Sequence, residues 1–356
     1  MHLVLLKIII FVSGIIFEEI QLNMRRIYLI FFILTLLSGL SCEKDENFPM
    51  GVSFNVSGRM LEGEKISCID VDYKGNVAIG SNKTLYYSND GDEDSYDLEF
   101  EISDLAIAQD ESVWIGTGGG GLGHLSGGSF TWYTSENAGL PRDYVRNVTV
   151  APDGKIWFSS CAFRIGGLGV FDGKDFEFFT PENSPLNQNI IEDLEIDEED
   201  GTVFIATTGT VSKTNIYRIS DRSWDCLGDE EGMFYWVFSF TLGQSGMIYL
   251  VEDFSLSSTM RSNNLFQFED DQWNKINSDD MPDLDFFTRI KADKRNYCWI
   301  AGSDDEAAIL HVFTGKSWIT SPKDMFPDNF ISTIEVDDKN NIWVGTWNNG
   351  VYILNQ

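Results

Sequence analysis

DNFISTIEVDDKNNIWVGTWNNGVYIL, residues 328–354, decides the fold. An apolar stretch, Ile331–Val336, leads into the polar turn Asp337–Asn341. The block Ile342–Thr346 (IWVGT) follows, then a Trp-Asn-Asn-Gly loop and a third stretch, Val351–Leu354. Alternating apolar and polar residues between Asn, Asp and Gly turns are the signature of consecutive β-hairpins. The block recurs as Val77–Ser81 (VAIGS), Val113–Thr117 (VWIGT), Ile156–Ser160 (IWFSS), Val203–Thr207 (VFIAT), Ile248–Glu252 (IYLVE) and Cys298–Gly302 (CWIAG). Seven copies at a mean spacing of about 44 residues give the period of a four-stranded blade. The expectation is therefore an all-β, seven-bladed β-propeller with antiparallel blades.

Most units close on an aromatic strand: Phe130–Tyr133, Phe176–Phe179, Trp224–Leu227, Trp273–Ile276 and Trp318–Thr320. Units 4 and 5, around 190–285, keep the pattern least well. The last unit stops after its third strand. An orphan strand at Val52–Val56 is expected to supply the missing outer strand, with Phe54 as its aromatic. That pairing would close the ring and hide two sheet edges that otherwise invite aggregation. Residues 51–356 are thus expected to form one ring.

The first 50 residues read differently. Met24-Arg25-Arg26 supplies a basic start, Tyr28–Leu37 an apolar run, and Ser38, Gly39 and Ser41 small residues before Cys42. This resembles a bacterial lipoprotein signal, with Gly39 where Leu is usual. It implies a signal region over 1–41 (with translation starting at Met24) and lipidation at Cys42. Residues 42–50 would be an acidic tether. Cys42-Glu43-Lys44-Asp45-Glu46 resembles the export signal that sends lipoproteins of Bacteroidetes-type bacteria to the outer face of the outer membrane. The location implied is surface-exposed outer membrane, or else periplasm. Cys68, Cys161, Cys226 and Cys298 show no disulfide-like spacing, and Cys298 falls where other blocks place Val or Ile.

With 56 Asp and Glu against 25 Lys and Arg, the formal net charge is −31. Such a surface repels phosphate backbones, which argues against nucleic-acid partners, and it keeps a monomer soluble.

GLPRDYVRNVTVAPDGKIWFSS (139–160) and the opening stretch resemble the two-component regulator propeller repeat. Its elements are matched by Gly139-Leu140-Pro141, Asp153-Gly154, Ile156-Trp157, Trp343–Thr346, Gly119–Leu122 and Gly166–Leu168. The resemblance implies a propeller and a sensor-like role, since such repeats often form extracytoplasmic sensors of carbohydrate breakdown products on membrane kinases. No apolar span or kinase-sized remainder follows the ring here, so a free-standing tethered propeller is expected. The repeat residues build blades and do not name a ligand.

Reactive constellations are scarce. His124 and His311 belong to units 2 and 6, too far round the ring to share a metal. The blocks are also similar to those of streptogramin-lyase propellers, but the clustered histidines of that chemistry are missing. No GxSxG elbow occurs. The acidic turns Asp197–Gly201 and Asp337–Asn341 invite calcium. They lack the EF-hand order, and Asp, Asn and Gly are what tight turns need. No cofactor is required, with calcium the alternative. Ligands are expected on the face made by the loops between blades and between second and third strands. There the candidates are Tyr144, Phe163, Arg164, Trp236, Asp304 and Trp347, aromatic and polar groups suited to a sugar ring or a peptide. Three functions remain open. The first is a non-catalytic binder of a glycan or protein partner. The second is a carbohydrate-active hydrolase or lyase with two carboxylates from different blades converging in the mouth. The third is a structural part of an envelope complex.

Overall fold

The computed structural model describes residues 51–356 except 163–164, 209–213, 229–233, 235, 258–259, 277–281, 283–285, 304–306 and 329. Seven four-stranded antiparallel sheets follow one another along Val52–Gln356, as the repeat requires. The first strand of each blade is innermost: Ile66–Val71, Ile102–Ile107, Val145–Val150, Ile190–Ile196, Trp236–Leu242, Phe286–Ala292 and Ile331–Val336. Each packs against the first strands of both neighbouring blades, and the seventh returns to the first.

The block residues form the second strands. Those of blades 1, 2 and 7 are buried along their whole length. A blade has a neighbour on each face, so both faces of the strand are covered and the run is continuously apolar. Burying each Val or Ile contributes roughly 1.5–3 kcal/mol. The glycine of the block has a spatial reason. A Cβ at Gly80 would lie 2.9 Å from Ile102, at Gly116 2.9 Å from the Val145 carbonyl, and at Gly345 2.7 Å from Ile66. Each of those groups belongs to the first strand of the next blade, which could not come so close to a larger residue.

The ring is closed by an N-terminal strand, but not the one expected. Val56–Met60 pairs antiparallel with Val351–Leu354, beginning with Val56 opposite Leu354. The expected strand, Val52–Val56, contributes only its last residue. Phe54 instead turns its ring onto Trp299 in an edge contact at 6.0 Å and packs on the core shared by blades 6 and 7. The chain just before the strand is still tied down. Gln356 receives the Ser53 N–H at 3.2 Å and donates to the Ser53 carbonyl at 2.8 Å. Across the seam, Ser332 Oγ donates to the Ile66 carbonyl at 2.6 Å.

Blade 5 departs most from the repeat. Its second and third strands, Ile248–Ser257 and Met260–Glu269, run ten residues each. Cys298 is fully buried, and Cys68, Cys161 and Cys298 are buried free thiols. Cys42 lies outside the described residues.

Candidate functional site

In five blades the second-strand block, which leads to the loop before the third strand, ends on a buried hydroxyl, that of Ser81, Thr117, Ser160, Thr207 or Thr346. In blade 7, Thr346 Oγ1 donates to the Gly350 carbonyl at 2.9 Å and accepts the Asn349 N–H at 3.1 Å. In blade 2, Thr117 Oγ1 donates to Gly121 at 2.7 Å and accepts from Gly120 at 2.9 Å. The last residue of the IWVGT block thus shapes the mouth of the ring.

This anchor presents Trp347, 43% exposed. Its N–H donates to the Phe330 carbonyl at 3.3 Å, and its ring lies against Phe330 with centroids 4.4 Å apart. Lys65 Nζ, from the first blade, stands 5.0 Å above the indole. Tyr144, also 43% exposed, sits on the same face at the seam of blades 2 and 3. It bridges to Gly118, and its carbonyl accepts from Cys161 at 3.0 Å. Phe163, Arg164 and Asp304 fall outside the described residues, as does the side chain of Trp236, whose backbone opens the first strand of blade 5. Two of the six expected residues are therefore placed on one exposed face, at separate seams. Phe330 and Lys65 went unrecognised. Each immediately precedes a first strand, as Tyr144 does, and that shared repeat position was the signal.

A second region was not anticipated. Residues of alternate register on the first strands line a cavity of about 460 Å³ on the ring axis. It reaches Asp72, Tyr73, Glu198, Lys294 and Asp338 on the hairpins between first and second strands, so it faces the end opposite Trp347. Blade 1 contributes Asp70, blade 2 Asp104, blade 4 Asp193 and Glu195, blade 6 Arg289 and Lys291, and blade 7 Glu335. Lys291 Nζ lies 3.4 Å from Glu195 and 3.2 Å from Glu335. Several carboxylates bolt blades together. Asp70 accepts the Ile107 N–H at 2.6 Å, Asp104 that of Val148 at 2.9 Å, and Asp193 that of Phe240 at 3.0 Å. Thr241 does the same for Ala292 at 3.0 Å.

Burial dominates the protonation of this cluster. It pushes Asp70 up to about 7, with help from the Glu335 charge. Burial also lifts Asp104 to about 7, against backbone N–H groups and Arg289. Glu195 rises to about 7 through burial, against Lys291. Burial opposes the Lys291 charge, but Glu195, Glu335 and Asp70 outweigh it and hold the ammonium well above its ordinary value.

Glu195 and Glu335 come from different blades and, given those contacts, are at most about 7 Å apart, a spacing glycosidases use. They meet in the channel rather than at the mouth, and Lys291 bridges them. His124 stacks on Trp114 at 4.1 Å, and burial lowers its pKa. His311 is buried against Thr320 at 2.8 Å and falls to about 4. The acidic turns use their carboxylates internally. Asp337 accepts from the Lys339 and Asn341 backbones at 2.9 and 2.8 Å, from the Asn341 side chain at 2.8 Å and from the Trp343 indole at 3.2 Å. Asp197 accepts from the Glu199 N–H at 2.9 Å. Among the described residues, no three His, Cys, Asp or Glu side chains are grouped to hold a metal ion.

Residues 325–348, which include the Trp347 anchor, match the family model described as "Two component regulator propeller". That stretch carries one copy of the two component regulator propeller repeat. Solved structures with this fold include two extracellular domains from B. thetaiotaomicron. That of a hybrid two component system is 17% identical, with a TM-score of 0.60, over 83% of this chain and 40% of the other. That of a one component system is 16% identical, with a TM-score of 0.62, over 85% and 39%. The propeller chain thus spans about two fifths of the length of those domains. Virginiamycin B lyase from Staphylococcus aureus is 15% identical, with a TM-score of 0.65, over 86% and 98%. No curated protein sequence matches the chain.

Proposed function

We propose that this propeller is a non-catalytic, extracytoplasmic binding module, tethered through a lipid on Cys42, that holds a glycan on the mouth carrying Tyr144 and Trp347. One observation carries the reading. Among the described residues the large exposed hydrophobic side chains are Val56, Tyr73, Tyr144, Ile165 and Trp347, and three of the five, Tyr144, Ile165 and Trp347, lie on that face. Flat aromatic groups on a rigid, hydrogen-bonded frame suit stacking on sugar rings. The shared fold of the two extracellular domains supports the placement outside the cytoplasm. A glycan array probed with the protein, and repeated with Trp347→Ala and Tyr144→Ala, tests the reading. Loss of a wild-type signal in both variants is expected. An array without signal would turn the reading towards a protein partner or an envelope complex, which co-purification from detergent-solubilised membranes would identify.

A second reading, a carbohydrate hydrolase or lyase, rests on the approach of Glu195 and Glu335. Release of reducing ends from a polysaccharide panel, abolished by Glu335→Gln, would establish it.

A further inference from the structure

We infer that the glycan held at the mouth is acidic, bearing carboxylate or sulfate groups, and that Arg142 is the residue that reads that charge. The inference rests on the mouth being the binding face. Cations are scarce in this chain, and those near carboxylates are mostly paired, as Lys74 is with Glu111, Arg295 with Asp293 and Arg146 with Glu192. Among the described residues Arg142 makes no ion pair. Its Nε is buried and has no acceptor.

Its backbone is fixed from both sides by Ser160, a fully buried residue. The Arg142 N–H donates to Ser160 Oγ at 3.0 Å, and that hydroxyl donates to the Arg142 carbonyl at 2.7 Å. The carboxylate nearest in sequence is engaged elsewhere. Asp143 accepts from the Ser135 N–H at 2.5 Å and from its hydroxyl at 3.0 Å, and its carbonyl accepts from Gly121 at 2.8 Å. Arg142 is thus a half-buried guanidinium on a rigid strap, two residues from exposed Tyr144.

Lys65, over Trp347, is a second cation on this face with no ion pair among the described residues. A guanidinium withdrawn from water, with no counter-charge supplied by the described residues, is unfavourable for the fold. An oxyanion held by its terminal nitrogens supplies that charge, in the forked geometry arginine favours. The aromatic neighbours supply the stacking surface for the sugar.

The experiment uses the full chain in detergent, titrated with polygalacturonate, chondroitin sulfate, carboxyl-reduced polygalacturonate and neutral glucans. Binding to an acidic polymer is expected. It should weaken with salt, and it should be absent for the carboxyl-reduced polymer. Arg142→Gln should bind about tenfold more weakly or worse. The same variant should melt no lower than wild type, because it removes an uncompensated charge. Arg146→Gln, which breaks the pair with Glu192, should melt lower. A structural role for Arg142 predicts the reverse order of melting. Preference for neutral glucans, unchanged binding by Arg142→Gln, or a lowered melting point for that variant would each overturn the role of Arg142 and leave glycan binding intact. Binding to none of the polymers would overturn both.

Discussion

The two ends of the ring use polar groups in opposite ways. In the axial channel, charges from the first strands of five blades face one another. Lys291 bridges Glu195 and Glu335, and Asp70, Asp104 and Asp193 receive backbone N–H groups of the following blade. At the mouth, Trp347 and Tyr144 stay exposed, and Arg142 and Lys65 have no ion pair among the described residues. The channel groups are satisfied by the fold itself, whereas the mouth groups are the ones assigned above to the proposed ligand. Buried polar clusters of the first kind hold a structure together, and loops of the second kind carry function.

The contrast can be broken most forcefully in the channel. Lys291→Met leaves Glu195 and Glu335 facing each other without a cation, and it should lower the unfolding free energy by about 3 kcal/mol in denaturant titrations. A loss below about 0.5 kcal/mol would mean that the pair is solvated like a surface one.

Acidity provides a second probe. Asp70, Asp104 and Glu195 bind protons more tightly folded than unfolded, with folded values raised to about 7. The folded state therefore holds more protons between the ordinary carboxylate range and neutrality, so stability falls as pH rises through that window. The melting point should be higher at pH 5 than at pH 8. The Asp70→Asn, Asp104→Asn double variant should show a shallower slope, which separates the channel from the general repulsion of an acidic chain. An unchanged slope would place the titrating groups elsewhere.

Smaller effects sharpen the mouth. Thr346→Val removes two hydrogen bonds under the Trp347 loop and should cost about 1–2 kcal/mol, read by thermal denaturation. Trp347→Ala and Tyr144→Ala should each cost at most about 1 kcal/mol, since they remove half-exposed rings. If either variant unfolded the ring, the aromatic would be a packing residue and not a contact for ligand.

Much of this architecture could be read from residue order. The IWVGT-like blocks report their own burial, because a strand covered on both faces must be apolar throughout, and their glycines report the approach of the next blade. Closure was legible in the missing last strand. Its register was not, since Phe54 and the residues from Val56 onward are equally plausible as strand, and only the site beside Trp299 draws Phe54 away from the edge. The channel was missed because Asp70, Glu195, Lys291 and Glu335 each look like an ordinary polar residue of an alternating strand. Their common position after the central apolar residue of the first strand shows only when the seven units are aligned. The face that carries Trp347 and Tyr144 was legible from the loop positions of the two residues. Arg142 was passed over because the Gly-Leu-Pro-Arg-Asp-Tyr segment reads as repeat grammar.

The central claim is that the exposed aromatic mouth, not the charged channel, is where this propeller meets its ligand. The most direct measurement is hydrogen–deuterium exchange on the full chain, with and without the glycan that gives the strongest array signal. Protection confined to the segments around Tyr144 and Trp347 is predicted, with exchange around Asp70 and Lys291 unchanged. Protection of the first strands around Asp70, Glu195 and Lys291, with the mouth unaffected, would contradict it.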